Sequence, residues 1–92
     1  MTEFLGELYV SREAGEAVEN DEARVRVAAA QLTREGRQIR FLRTIFVPED
    51  ETCFYLFEAA SAGAVREVGM RAALPFDRVS RSWSRSDERE IE

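Results

Sequence analysis

The stretch from Gln38 to Ala59 constrains this chain more than any other. Two long runs rich in β-branched and aromatic residues, Ile39 to Val47 and Thr52 to Ala59, flank a short polar segment, Pro48-Glu49-Asp50-Glu51. Side chains of these types fit a pleated surface, and a polar loop opening on proline reverses the chain, so the stretch predicts a β-hairpin. Five of the six phenylalanines lie in these runs or just beyond them, at Phe76, so the core must form here. Apolar residues occur on both sides of each run, which predicts a sheet that needs cover on both faces.

The rest of the chain supplies partners for the hairpin. Phe4 to Val10 reads as a strand with apolar residues on both sides, hence a central one, and Ser11 to Gly15 reads as a loop. From Ala17 to Glu35, Val18, Val25, Ala28, Ala29 and Leu32 recur at helical spacing and make one apolar stripe. Asn20, followed by Asp21 and Glu22, is a candidate cap for a helix that starts later, and Gly36 offers a left-handed terminus. Ser61 is positioned to cap a second helix over Ala62 to Ala73, whose buried side is Val65, Val68 and Ala72. Gly69 costs that helix about 1 kcal/mol against alanine, and it marks a place where backbone approaches closely. Leu74-Pro75 is expected to stop the helix. Phe76 to Trp83 reads as the last strand, and 84–92 as a flexible acidic tail outside a single domain of residues 1–83.

The order β-α-β-β-α-β predicts an α+β, ferredoxin-like fold: a four-stranded antiparallel sheet with two helices on one face and spatial strand order 4-1-3-2. The helices leave one apolar face bare. Two such faces packed together would make a homodimer with twofold symmetry, a dimeric α/β barrel.

Charge narrows the functional classes. The net charge of −5 opposes binding to nucleic acid or to an anionic membrane. No run of about 18 apolar residues exists, and the N-terminus lacks the pattern of a signal peptide. One cysteine forms no internal disulfide, which makes a cytoplasmic setting the expectation. All 13 basic residues are arginine, and histidine, the commonest metal ligand and general base, is absent.

The candidate ligand-binding residues are Glu7, Tyr9, Arg43, Tyr55 and Glu58. Glu7 and Glu58 each interrupt an otherwise apolar strand, and the expected strand order makes their strands neighbours. They would form a polar cluster, either in a ligand cleft or as ion pairs with Arg40 or Arg43. Cys53 sits inside a strand with no histidine to activate it and reads as a core residue. Phe54, Tyr55, Phe57 and Tyr9 resemble the base-stacking aromatics of an RNA-binding sheet, but the expected Gly-Phe pattern is missing and the charge has the wrong sign.

Several short motifs carry a family resemblance over about residues 3–82. Phe4-Leu5-x-Glu7, Cys53-x-Tyr55-x-x-Glu58-Ala59, and Ala64-Val65-Arg66-Glu67 leading to Leu74-Pro75-x-Asp77-Arg78-Val79 resemble a bacterial family of small ferredoxin-like domains of unknown function. That family includes actinobacterial nickel-binding proteins. The resemblance implies a dimeric ferredoxin-like fold, with nickel as a family ligand. Where the family often has a histidine after Val-Arg-Glu, this chain has Val68, and the residues themselves imply no cofactor. The function expected is therefore that of a non-enzymatic homodimer binding a small ligand or a protein partner, without nucleic acid or membrane. The alternatives are a nickel-type protein using carboxylates, or a small dimeric-barrel enzyme drawing on Glu7, Glu58, Tyr9 or Tyr55.

Overall fold

A computed structural model describes residues 1–85. Strand β1 spans Thr2–Tyr9, helix α1 Ala17–Arg34, β2 Ile39–Val47, β3 Thr52–Ala59, α2 Ala62–Arg71 and β4 Arg78–Arg81. The four strands form one antiparallel sheet in the order β2-β3-β1-β4, which is the expected order read from its other edge. The fold is ferredoxin-like, as the element pattern predicted, and the sheet is open rather than closed into a barrel.

The hairpin forms as its residues dictate. Pro48–Asp50 make a single 3-10 turn, and Glu51 adopts a left-handed conformation, φ 49°, to bring the chain back. The β2–β3 register shifts between Phe41 and Arg43, so Leu42 is an extra residue in β2. This shift keeps Ile39 and Phe41 on the same side of the sheet as Thr44 and Phe46.

Helix α1 lays Val25, Ala28, Ala29 and Leu32 against the sheet, and Gly36 follows its end at φ 91°. It starts at Ala17 without a side-chain cap, so Asn20 lies inside the first turns instead of opening a later helix. Packing of the apolar stripe outweighs the missing cap. Helix α2 is capped as expected, with Ser61 Oγ accepting from the Ala64 amide at 3.3 Å. Its end differs from the sequence expectation. Ala73 turns left-handed at φ 59°, and the Leu74 amide donates to the Gly69 carbonyl at 2.8 Å. The helix is thus closed by a backbone reversal two residues before Pro75.

The last strand is shorter than expected and begins at Arg78. Phe76 is not in it; its ring turns into the core, 5.6 Å from Tyr55 and 6.0 Å from Phe57 between centroids. Two glycines make room. A Cβ on Gly69 would sit 2.8 Å from the Leu74 carbonyl oxygen, and one on Gly6 would sit 2.7 Å from the Phe76 ring. The close approach inferred at Gly69 is real, and its cause is the chain folding Phe76 back beneath the helix.

The core lies between helices and sheet: Phe4, Val25, Leu32, Ile39, Cys53, Tyr55, Phe57, Val65 and Val68, with no buried charge among the described residues. Beyond β4, Ser84 Oγ donates to Glu3 at 2.7 Å and the Arg85 guanidinium lies 5.6 Å from the centre of the Trp83 ring. The remainder of the expected tail, 86–92, lies outside the described residues.

Candidate functional site

Strand pairing determines which side chains meet on the helix-free face. Alternate residues of a strand point to opposite faces, so Phe4 and Phe57, paired across β1 and β3, put their neighbours on the other side. Four rows follow across the sheet. Ser82, Glu3, Glu58 and Arg40 make the first, and Ser80, Leu5, Leu56 and Arg43 the second. Arg78, Glu7, Phe54 and Ile45 make the third, then Tyr9, Thr52 and Val47 the fourth. The face therefore has an apolar centre of Leu5, Leu56, Phe54 and Ile45, with charge in the first row and, beside that centre, at Glu7 and Arg78 on the β1–β4 side, while the last row is uncharged. Ile45 remains 43 % exposed and Tyr9 63 % exposed, whereas Leu56 is only 6 % exposed although no helix covers it.

The five sequence-predicted residues divide. Glu7, Tyr9, Arg43 and Glu58 share the open face. Tyr55 lies on the other side, fully buried in the core, because three residues along a strand from Glu58 means the opposite face. Its hydroxyl has no hydrogen-bond partner, and burial, with Cys53 beside it, pushes its pKa far up. Cys53 is buried there too, and burial raises its thiol. Neither group is available on the open face.

Glu7 and Glu58 are not brought together. The partner of Glu58 on β1 is Glu3, while Glu7 pairs with Phe54, four residues or about 13 Å further along the sheet. Each has its own arginine: Glu58 lies 3.4 Å from Arg40 and Glu7 lies 3.8 Å from Arg78. Arg40 is thus the strand-2 partner of Glu58, and Arg43 is not.

Glu3 was missed by the sequence reading, which began the strand at Phe4. Extending the alternation of Leu5, Glu7 and Tyr9 back by one step would have found it. Two carboxylates directly opposite on neighbouring strands repel, and the surroundings offset this. Glu3 accepts hydrogen bonds from the hydroxyls of Ser82 at 2.8 Å and Ser84 at 2.7 Å, while Glu58 faces Arg40.

The segment after β4 also builds a small pocket on this face. Arg43, Ile45, Leu56, Ser84 and Arg85 line a space of about 210 Å³. No group of three or more Cys, Asp or Glu side chains suited to a metal ion occurs among the described residues, and none of their helices is long and apolar enough to cross a membrane.

Comparison with known proteins gives two findings. The model of a family described as "Nickel responsive protein SCO4226-like" matches residues 9–81. The crystal structure of SCO4226 from Streptomyces coelicolor A3(2) superposes with a TM-score of 0.70 at 16 % sequence identity, over 91 % of this chain and 99 % of that one. At that identity the superposition speaks for the fold alone. No curated protein matches the chain.

Proposed function

The chain belongs to the SCO4226-like family of nickel responsive proteins, and on that premise we propose that it works as a homodimer joined through the open face, holding a small ligand between the two sheets. The observation that carries this is the composition of the face: an apolar centre of Leu5, Leu56, Phe54 and Ile45, with one acid–arginine pair at one end, Glu58–Arg40, and a second, Glu7–Arg78, on the β1–β4 side. A dimer between identical faces requires a self-complementary surface, and one that carries both acids and arginines can oppose unlike charges under twofold rotation where a face of one sign cannot. Burying apolar surface contributes about 25 cal/mol per Å², so an interface of ordinary size would hold such a pair together. Light scattering at micromolar concentration is expected to give about twice the chain mass of 10.5 kDa, and Ile45→Glu to return it to the monomer. A monomeric wild-type protein would overturn the dimer.

The residues do not suit nickel. The chain has no histidine, Cys53 is buried on the helix side with a raised thiol pKa, and the carboxylates of the open face are engaged by serine hydroxyls or arginines. Imidazole and thiolate are the ligands that hold such a metal firmly. Calorimetry on protein without a histidine tag is expected to show no stoichiometric, submicromolar nickel uptake. The separation of Glu7 from Glu58, with Tyr55 behind the sheet, likewise favours binding over acid–base catalysis.

A further inference from the structure

The open face sets three acids, Glu3, Glu7 and Glu58, against four arginines, Arg40, Arg43, Arg78 and Arg85, and because serine hydroxyls engage Glu3, two of the arginines lack a carboxylate partner among the described residues. Its acids are matched: Glu3 by the hydroxyls of Ser82 and Ser84, Glu58 by Arg40, and Glu7 by Arg78. Arg43 and Arg85 have no carboxylate partner among the described residues, and both line the pocket of about 210 Å³ whose other walls are Ile45, Leu56 and Ser84. In a chain of net charge −5, a pocket that gathers two guanidinium groups without a carboxylate partner among the described residues, one of them, Arg85, stacked 5.6 Å from the centre of the Trp83 ring, is out of character with the rest of the molecule.

The geometry points to this pocket as a site for a small monocarboxylate with a short apolar body. Guanidinium presents its donors in a planar fork that matches a carboxylate. Leu56 and Ile45 offer apolar surface to a hydrocarbon tail. Ser84 Oγ is already donating to Glu3, so the anion is held by the arginines and not by the hydroxyl. A few convergent polar groups over an apolar lining is the usual construction of a small-molecule site. The inference deepens the reading of the open face as the ligand-binding surface, and it does not require the dimer, since one chain supplies every lining residue.

The test is a nuclear magnetic resonance titration with butyrate, and with butyramide as its uncharged counterpart, alongside light scattering on the same samples. Butyrate is expected to shift the Ile45 and Leu56 methyl signals saturably, and butyramide to leave them in place. Arg43→Gln should weaken butyrate binding by about ten- to a hundredfold, the loss of a charged hydrogen-bonding partner. Arg66→Gln, an exposed arginine on α2, should leave it unchanged. Arg43 is itself exposed, so its replacement does not threaten the fold. Equal shifts from the two compounds, or butyrate binding indifferent to Arg43→Gln, would overturn the site. A monomer that still binds butyrate would remove the dimer and keep the pocket. A dimer without butyrate binding would do the reverse.

Discussion

The two faces of the sheet are made by the same strands and differ in almost every physical respect. On the helix side, Phe4, Ile39, Phe41, Cys53, Tyr55, Phe57 and Ala59 close-pack with α1, α2 and Phe76, and no charge enters. On the open side, hydrophobic residues alternate with Glu3, Glu7, Glu58, Arg40, Arg43 and Arg78, and much of the surface stays wet. The helix side specifies the fold, because most of its side chains are buried and shape there is unforgiving. The open side retains polar chemistry because water, or a partner, is still present to solvate it.

Truncating one aromatic ring on each face gives the sharpest test of that contrast. Phe57 is completely buried, so Phe57→Ala is expected to cost about 3–5 kcal/mol in chemical denaturation. Phe54, three residues earlier and half-buried on the open face, should cost no more than about half as much in dilute protein. Its cost should then grow with protein concentration as a second copy covers the face. Equal costs at every concentration would erase the distinction between the faces.

The next effect belongs to the helix side alone. Alanine is the better helix former, so Gly69→Ala would stabilise a free helix by about 1 kcal/mol. Here its Cβ would meet the Leu74 carbonyl oxygen at 2.8 Å. Net destabilisation of about 1–3 kcal/mol is therefore expected. A rise in melting temperature would show that the turn beneath α2 yields easily.

Alkali should also act on the helix side. Burial raises the pKa of Cys53 above its ordinary 9.0 and that of Tyr55 above its ordinary 10.0. A group whose pKa is higher folded than unfolded stabilises fully below the unfolded value and loses that contribution as pH rises. Stability should therefore decline from about pH 9 upward, with Tyr55 adding its loss from about pH 10. With no lysine in the chain, few other groups titrate in that window. Tyr55→Phe, which also removes a hydroxyl without a partner, should flatten the decline without lowering stability at neutral pH. Denaturation curves from pH 7 to 11 measure both, and an unchanged slope in the variant would count against the assignment.

The smallest effect is expected on the open face. A deeply buried Glu58 would be costly to neutralise, but the carboxylate is 38 % exposed and Arg40 is 68 % exposed. Solvent screening holds such a pair to roughly 0–1 kcal/mol, and relief of repulsion with Glu3 offsets part of that. Glu58→Gln should move the denaturation midpoint by little more than Glu51→Gln, in the turn. A loss of several kcal/mol would mean that a partner buries Glu58.

The pattern of apolar and polar residues was enough to specify the elements, their order, the strand arrangement and the cover on one face. Val25, Leu32, Val65 and Val68 went into the core as their spacing required, and Cys53 was legible as a core residue from its setting. Ser61 capped its helix as its position suggested. These are local or periodic properties, set by side-chain size, hydrogen-bonding groups and the repeats of helix and strand. What the periods left open was pairing between strands. Only the register put Glu3, and not Glu7, opposite Glu58, whereas the separation of Tyr55 from Glu58 was legible in the alternation of β3 itself. The reversal at Ala73 and the inward turn of Phe76 depended on two glycines from different elements meeting one ring. Likewise Arg85 came to Arg43 through the path of the chain after β4, across 42 positions of sequence. Contacts of this kind belong to no segment by itself. They arise when the packed core orients the strands and brings distant backbone within reach, so tertiary structure decides them.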